Sequence, residues 1–226
     1  MAIKLVSTKD AATYQGVKIL VHGPAGAGKT RLCATLPEPL ILSAEAGLLS
    51  LAGSDIPVIE VKQIEDLYEA FEFISSSKEA EHFQSVALDS ISEIAEVCLA
   101  KEKAATKDGR KAYGALNDSM GALVRAFRDL PGKHVYMSCK QVRVKDEIEG
   151  TMLYGPSMPG ARLANELPYL FDECFALRVE KDNEGGIQRW LQTQRDVQYE
   201  AKDRSGKLDV FEPANLGSVI TKILGE

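Results

Sequence analysis

Residues 23–30 read G-P-A-G-A-G-K-T, which satisfies G-x-x-x-x-G-K-T in full. Glycines at its first, fourth and sixth positions let successive backbone N–H groups point into one concavity, where they hold phosphate oxygens at the start of a helix. The lysine adds a charge that reaches the β and γ phosphates, and the threonine hydroxyl is placed for Mg²⁺. The spacing therefore predicts a magnesium-nucleotide site built from Gly23, Pro24, Ala25, Gly26, Ala27, Gly28, Lys29 and Thr30, with Arg31 beside it. A glycine-rich turn of purely structural use is the alternative. The apolar run before the loop and the helix-compatible run after it weigh against that alternative.

Such a site needs a carboxylate near the metal. Asp89 closes the apolar run S-V-A-L-D, in the manner of a Walker B aspartate. By itself an aspartate there is as compatible with capping the next helix; beside the phosphate loop it is placed at the metal, through water. Hydrolysis also needs a group to orient water, drawn from carboxylates leaving the carboxyl ends of strands. Glu45, after I-L-S-A, is that candidate, against a plain surface carboxylate, because Asp89-Ser90 offers no adjacent glutamate. His22, ahead of the loop, reads as a packing or hydrogen-bonding residue rather than a base, and His82 and His134 show no ligand spacing. Trp190 and Phe175 read as core or interface residues.

These groups must be held by alternating elements. Short apolar strands are expected at 17–21, 39–43, 58–61, 85–89 and 134–139, with helical periodicity at 31–36, 64–75, 91–105 and 116–130. The turn-rich stretch with Gly47 and Gly53 follows the second strand, and a polar break at 106–111 separates two helices. Alternation of this kind argues for an α/β fold with a mostly parallel sheet flanked by helices. The last third differs. Residues 141–159 suggest a hairpin or mobile loop, 163–170 a short helix, and 173–180 and 188–194 a C-terminal β-hairpin extension around the turn 182–186; a helix at 216–224 closes the chain.

Composition bounds the rest. With 226 residues, 45% hydrophobic and 27% charged, the chain is long enough for one sizeable core, so residues 1–226 are read as a single domain. Lysine and arginine total 27 against 33 acidic residues, a net charge of -6, which excludes a broadly basic nucleic-acid-coating surface but leaves room for a local basic groove. Four cysteines without paired spacing point to buried free thiols in a reducing compartment. There is no apolar signal core near the start and no run long enough to span a bilayer, so no membrane partner is expected.

Taken together, G-P-A-G-A-G-K-T, L-I-L-S-A-E-A-G, S-V-A-L-D-S, H-V-Y-M-S-C-K-Q, G-P-S-M-P-G and Y-E-A-K-D-R-S-G-K-L resemble RecA-like P-loop ATPases. They resemble more closely the phage and prophage ATP-binding proteins associated with single-strand annealing recombination, over about residues 15–224. The resemblance implies ATP and Mg²⁺ as cofactors and ATP hydrolysis in the bacterial cytoplasm. It places Glu45 as the water-activating residue, with Ser43 where the family often has aspartate. It places Gln141 as a sensor of the γ phosphate that leads into a DNA-binding loop, with Lys140 beside it. Lys202 and Arg204 look like the basic pair that completes a neighbouring protomer's site in related rings and filaments, against a solvated turn of the same composition. A homo-oligomer, ring or filament, and recombination or replication partner proteins are implied with it.

Single-stranded DNA is the implied polymer. Lys101, Lys103, Lys107, Arg110 and Lys111 with Tyr113 form one patch, and Arg143 and Lys145 lie in the second loop, a mixture that can track and stack a single strand. Glu102, Asp108, Asp146, Glu147 and Glu149 dilute both patches, and a plain solvated surface stays open. Two other functions remain: a small-molecule phosphotransferase, and a nucleotide-gated module that recruits other proteins with little turnover.

Overall fold

The computed structural model describes Ser7 and residues 16–45, 48–147, 150–181 and 184–225; Gly47, Glu149 and Asp182, named above, lie outside the described residues. Strands β1 (Lys18–Gly23), β2 (Pro39–Ser43), β3 (Val58–Glu60), β4 (Ser85–Asp89) and β5 (His134–Lys145) are followed by β6 (Met152–Ser157), which pairs antiparallel with the outer half of β5. Then come β7 (Glu173–Lys181), β8 (Ile187–Gln192), β9 (Lys202–Asp203) and β10 (Phe211–Pro213). The parallel part of the sheet runs β7-β1-β5-β4-β2-β3, and β8 and β10 extend it antiparallel beyond β7.

The helices are α1 (Lys29–Leu32), α2 (Ile64–Ser76), α3 (Ile91–Ala105), α4 (Gly109–Arg128), α5 (Ala161–Leu170) and α6 (Leu216–Leu224). Strand alternation sorts the core into two layers. Leu20, Leu40, Leu42, Val86, Leu88, Val135 and Met137 face one side, where Leu67, Ile94, Met120, Val124 and Leu167 of α2 to α5 cover them. Their neighbours Ile19, Val21, Ile41, Ala87 and Tyr136 face the other, against Leu32 of α1 and Leu216, Val219 and Ile220 of α6. Runs such as Leu40-Ile41-Leu42 are apolar at every position because both faces are covered. Among the described residues no helix is long and apolar enough to cross a membrane.

Two local departures from the sequence expectation have physical causes. The helix after the phosphate loop is a single turn, continued as a 3-10 turn at Cys33–Thr35. Leu36 then turns extended because Pro37 disfavours helical geometry at the residue before it. Helix α4 begins seven residues earlier than its apolar face, because the Asp108 side chain accepts hydrogen bonds from the Arg110 and Lys111 amides and caps it there. The polar break between α3 and α4 therefore shrinks to residues 106–108. Of the two alternatives left open for residues 141–159, the structure shows the hairpin: residues 141–145 and 152–157 pair antiparallel, continuous with β5. All four cysteines are free and buried.

Candidate nucleotide site

The parallel strands deliver their carboxyl ends to one edge of the sheet. Gly23, the end of β1, is in register with Lys140 on β5; Ser43, the end of β2, is in register with Asp89 on β4. Chain leaving those ends supplies the phosphate loop, Gln141 and Glu45, as expected at the carboxyl edge of an open α/β sheet. A cavity of about 860 Å³ opens there, lined by the phosphate loop together with Glu45, Ser50, Asp89, Glu93, Lys140, Gln141 and Arg189.

Strand β5 lies between the strand carrying the loop and the strand carrying Asp89. The gap is bridged by hydroxyls. Thr30 Oγ1 donates to Asp89 Oδ2 at 2.7 Å, and Ser138 Oγ on β5 donates to Asp89 Oδ1. Asp89 is 1% exposed and has no ion pair among the described residues. A buried carboxylate beside a threonine hydroxyl, with no cationic side chain on it, fits the oxygen donors Mg²⁺ prefers. No group of three or more His, Cys, Asp and Glu suited to a metal occurs among the described residues; Thr30 and Asp89 are the side chains that could hold the ion. Mg²⁺, when bound, supplies charge neutralisation at the phosphates.

The loop's conformation demands its glycines. Gly26 has φ 74° and Gly28 φ 106°, and a Cβ on Gly28 would lie 3.1 Å from Arg189 Nε. The Lys29 ammonium donates to the carbonyls of Gly23 at 2.8 Å and Pro24 at 3.0 Å, which holds it over the loop. Burial lowers its pKa, while the negative charges of Asp89 and Glu45 pull the other way. Tyr136, fully buried, donates its hydroxyl to the Lys29 carbonyl at 2.9 Å and fixes the base of the short α1.

Glu45 is held from two sides. Ser43 Oγ donates to the Glu45 carbonyl at 3.0 Å and accepts from its amide at 3.3 Å, so this serine shapes the turn that carries Glu45. Ser90 Oγ donates to Glu45 Oε1 at 2.8 Å. Gln141 lies opposite, against the buried ring of His22. Lys140 forms an ion pair with Glu93 of α3.

The structure brings the loop, Glu45, Asp89, Lys140 and Gln141 together and leaves the remaining candidates elsewhere. Lys202 and Asp203 pair with the first residues of β7, which are level with Ile19 and Leu20 of β1. They are therefore toward the end of the sheet opposite the phosphate loop. Lys202 Nζ donates to the carbonyls of Phe171 at 2.6 Å and Pro168, and Arg204 pairs with Asp172 at 2.7 Å. Neither completes the cavity of its own chain. The Lys101–Lys111 patch spans the end of α3 and the start of α4, outside this cavity, with Lys101 paired to Glu65. Arg143 and Lys145 lie on the β5–β6 hairpin that leaves Gln141.

Sequence reasoning missed Arg189, Ser138, Ser90 and Glu93. Arg189 reaches from β8, its Nε donating to the Ala27 carbonyl at 2.8 Å, and brings a guanidinium to the phosphate loop from more than 150 residues away. Nothing in Q-R-W-L-Q signals that placement; the register of β7 on β1 and of β8 on β7 creates it. Ser90 Oγ also accepts from the Glu93 amide and caps α3, the capping role that the sequence offered to Asp89.

Curated proteins give no match to the chain. The family described as AAA domain matches residues 15–205, which include every strand from β1 to β9. The match supports the P-loop ATPase reading of the loop and sheet. With the loop, the buried aspartate and the sheet edge already in place, the chain belongs to the AAA domain family of P-loop ATPases.

Proposed function

We propose that this protein binds ATP with Mg²⁺ and hydrolyses it, and that turnover is coupled to binding of single-stranded DNA in phage-type recombination or annealing in the bacterial cytoplasm. The convergence of Lys29, Thr30, Asp89 and Glu45 on one cavity carries the reading. The loop amides and Lys29 hold the phosphates, with Arg189 as a second cation. Thr30 and Asp89 hold the metal. Glu45, fixed by Ser90, takes the proton of the attacking water, and Gln141 reports the γ phosphate to the hairpin beyond it.

The DNA part is supported by continuity. Strand β5 runs from Gln141 directly to Arg143 and Lys145, and Tyr169 stands 83% exposed beside a groove formed by that hairpin. Cations and an open aromatic ring suit a backbone with stackable bases. Protomers assembling into a ring or filament, with partner recombination proteins, belong to the same proposal; Lys202 and Arg204 bond within their own chain, and Arg189, which lines the cavity, is a cation the chain itself supplies. The test is steady-state ATP hydrolysis over a range of protein concentrations, with and without single-stranded DNA, at low and physiological salt. Stimulation by DNA that weakens with salt supports the coupling. ATP binding with no response to DNA removes it and leaves a nucleotide-gated module.

A further inference from the structure

We infer that His22 is a positioning residue that couples the nucleotide cavity to a tyrosine-lined groove on the neighbouring surface, by holding Gln141 with one ring nitrogen and the Glu200 backbone with the other. The inference rests on the nucleotide reading of the cavity and adds a route of regulation to it.

His22 is fully buried on β1, between Cys139 of β5 and Ala176 of β7. Its Nε2 lies 2.7 Å from the Glu200 carbonyl and its Nδ1 lies 3.2 Å from Gln141 Oε1. A carbonyl only accepts, so Nε2 carries the ring proton. Burial, reinforced by the nearby Lys29 charge, favours the neutral ring. Nδ1 is then an acceptor. With Oε1 facing it, Nδ1 meets another acceptor, and the contact becomes a hydrogen bond only when the Gln141 amide turns its NH₂ toward the ring and its carbonyl oxygen away. The state of His22 therefore decides which end of Gln141 is free.

The other side of the ring leads outward. The Glu200 amide donates to the Tyr154 carbonyl at 2.9 Å, and the Tyr154 amide donates to the Gln198 carbonyl at 2.7 Å. The Tyr154 and Tyr199 rings stack at 4.6 Å and 12°, with the Arg178 guanidinium 4.0 Å from the centre of the Tyr199 ring. Asp196 Oδ1 accepts from the amides of Gln198 and Tyr199 and stiffens the same segment. These tyrosines line a groove of about 460 Å³. A phosphate that claims the Gln141 amide removes the donor from Nδ1, and among the described residues the His22 ring is the side chain that contacts both Gln141 and the Glu200 carbonyl.

Hydrogen exchange of residues 196–201, with and without a non-hydrolysable ATP analogue and Mg²⁺, reads this coupling. Asparagine places its amide near the Nδ1 position and glutamine near Nε2, so His22→Asn keeps a partner for Gln141 and releases Glu200, whereas His22→Gln does the reverse. In the wild type the analogue changes exchange in 196–201 by about fivefold or more. Both variants bind the analogue with affinity within about threefold of wild type and lose that change. Should either variant fail to fold, Gln141→Leu, which leaves His22 in place, is expected to lose the change as well. Analogue binding to the wild type without altered exchange, or variants that keep the full change, overturns the coupling alone. Failure of the wild type to bind the analogue overturns the nucleotide reading and the coupling with it.

Discussion

Glu173 opens β7 at 1% exposure, far from the nucleotide cavity, and its substitution by glutamine separates the cost of a buried charge from function. Its Oε1 accepts from the Ser205 amide at 3.3 Å, while Oε2 is buried without a donor among the described residues. Burial, with the Asp203 carboxylate beside it, raises the pKa of Glu173 from 4.5 to about 8. Burial also acts on Asp203 to raise it, but the Ser205 hydroxyl and the Leu208 and Gly206 amides outweigh this and hold Asp203 low. Glu173 is thus the member of the pair that keeps a proton.

The folded chain holds a proton that the unfolded chain releases near pH 4.5, so the stability from Glu173 is full below that pH and declines as pH rises through about 8. At about 1.4 kcal/mol per pH unit, the loss between pH 5 and 8.5 is up to about 4 kcal/mol, and Asp203, held low, stays ionised throughout that window. Glutamine keeps the acceptor for Ser205, offers an N–H to Asp203 and has nothing to titrate. Urea unfolding of wild type and Glu173→Gln at several pH values from 5 to 8.5 measures the difference. Lys18, which burial lowers to about 8, titrates in both proteins and cancels. Glu173→Gln is expected to match wild type within about 1 kcal/mol at pH 5 and exceed it by about 2–4 kcal/mol at pH 8.5. A difference that is flat with pH, or a variant less stable than wild type at pH 8.5, would refute the reasoning.

Five other substitutions address the site and its surroundings. Glu45→Gln is expected to lower ATP turnover by roughly 100-fold to 10,000-fold while analogue binding is kept, as measured by single-turnover kinetics and equilibrium titration. Gly28→Ala forces an L side chain to φ 106° with its Cβ 3.1 Å from Arg189 Nε, and should cost about 1–3 kcal/mol and weaken nucleotide affinity. Gly26→Ala, where a Cβ meets nothing within 4 Å, should show the smaller effect of φ alone in the same titration. Lys202→Met strips the Pro168 and Phe171 carbonyls of their shared donor and should cost about 1–3 kcal/mol in urea unfolding. Arg204→Ala removes an exposed pair and should change stability by less than about 1 kcal/mol; concentration-dependent turnover lost in that variant would assign Arg204 to a neighbouring protomer's site.

What the amino-acid sequence determined by itself was local chemistry and periodicity. G-P-A-G-A-G-K-T carries its geometry in adjacent residues, because glycine conformations and a following lysine and threonine suffice to shape a phosphate cradle. Apolar runs such as 39–43 and 85–89 announced strands covered on both faces, and helix α6 was legible to its ends from its apolar spacing. The positions of Asp89 and Glu45 followed because both leave strand ends. Tertiary structure alone decided what depends on register and strand order. Placing β5 between β1 and β4 makes Ser138 a partner of Asp89, and pairing β8 to β7 carries Arg189 to Ala27. It also supplied the partners of His22, read from sequence as a packing or hydrogen-bonding residue, in Gln141 and Glu200, and gave Lys202 two backbone carbonyls of its own chain to hold. No local pattern encodes these contacts, because each joins segments that only the closed sheet brings within hydrogen-bonding distance.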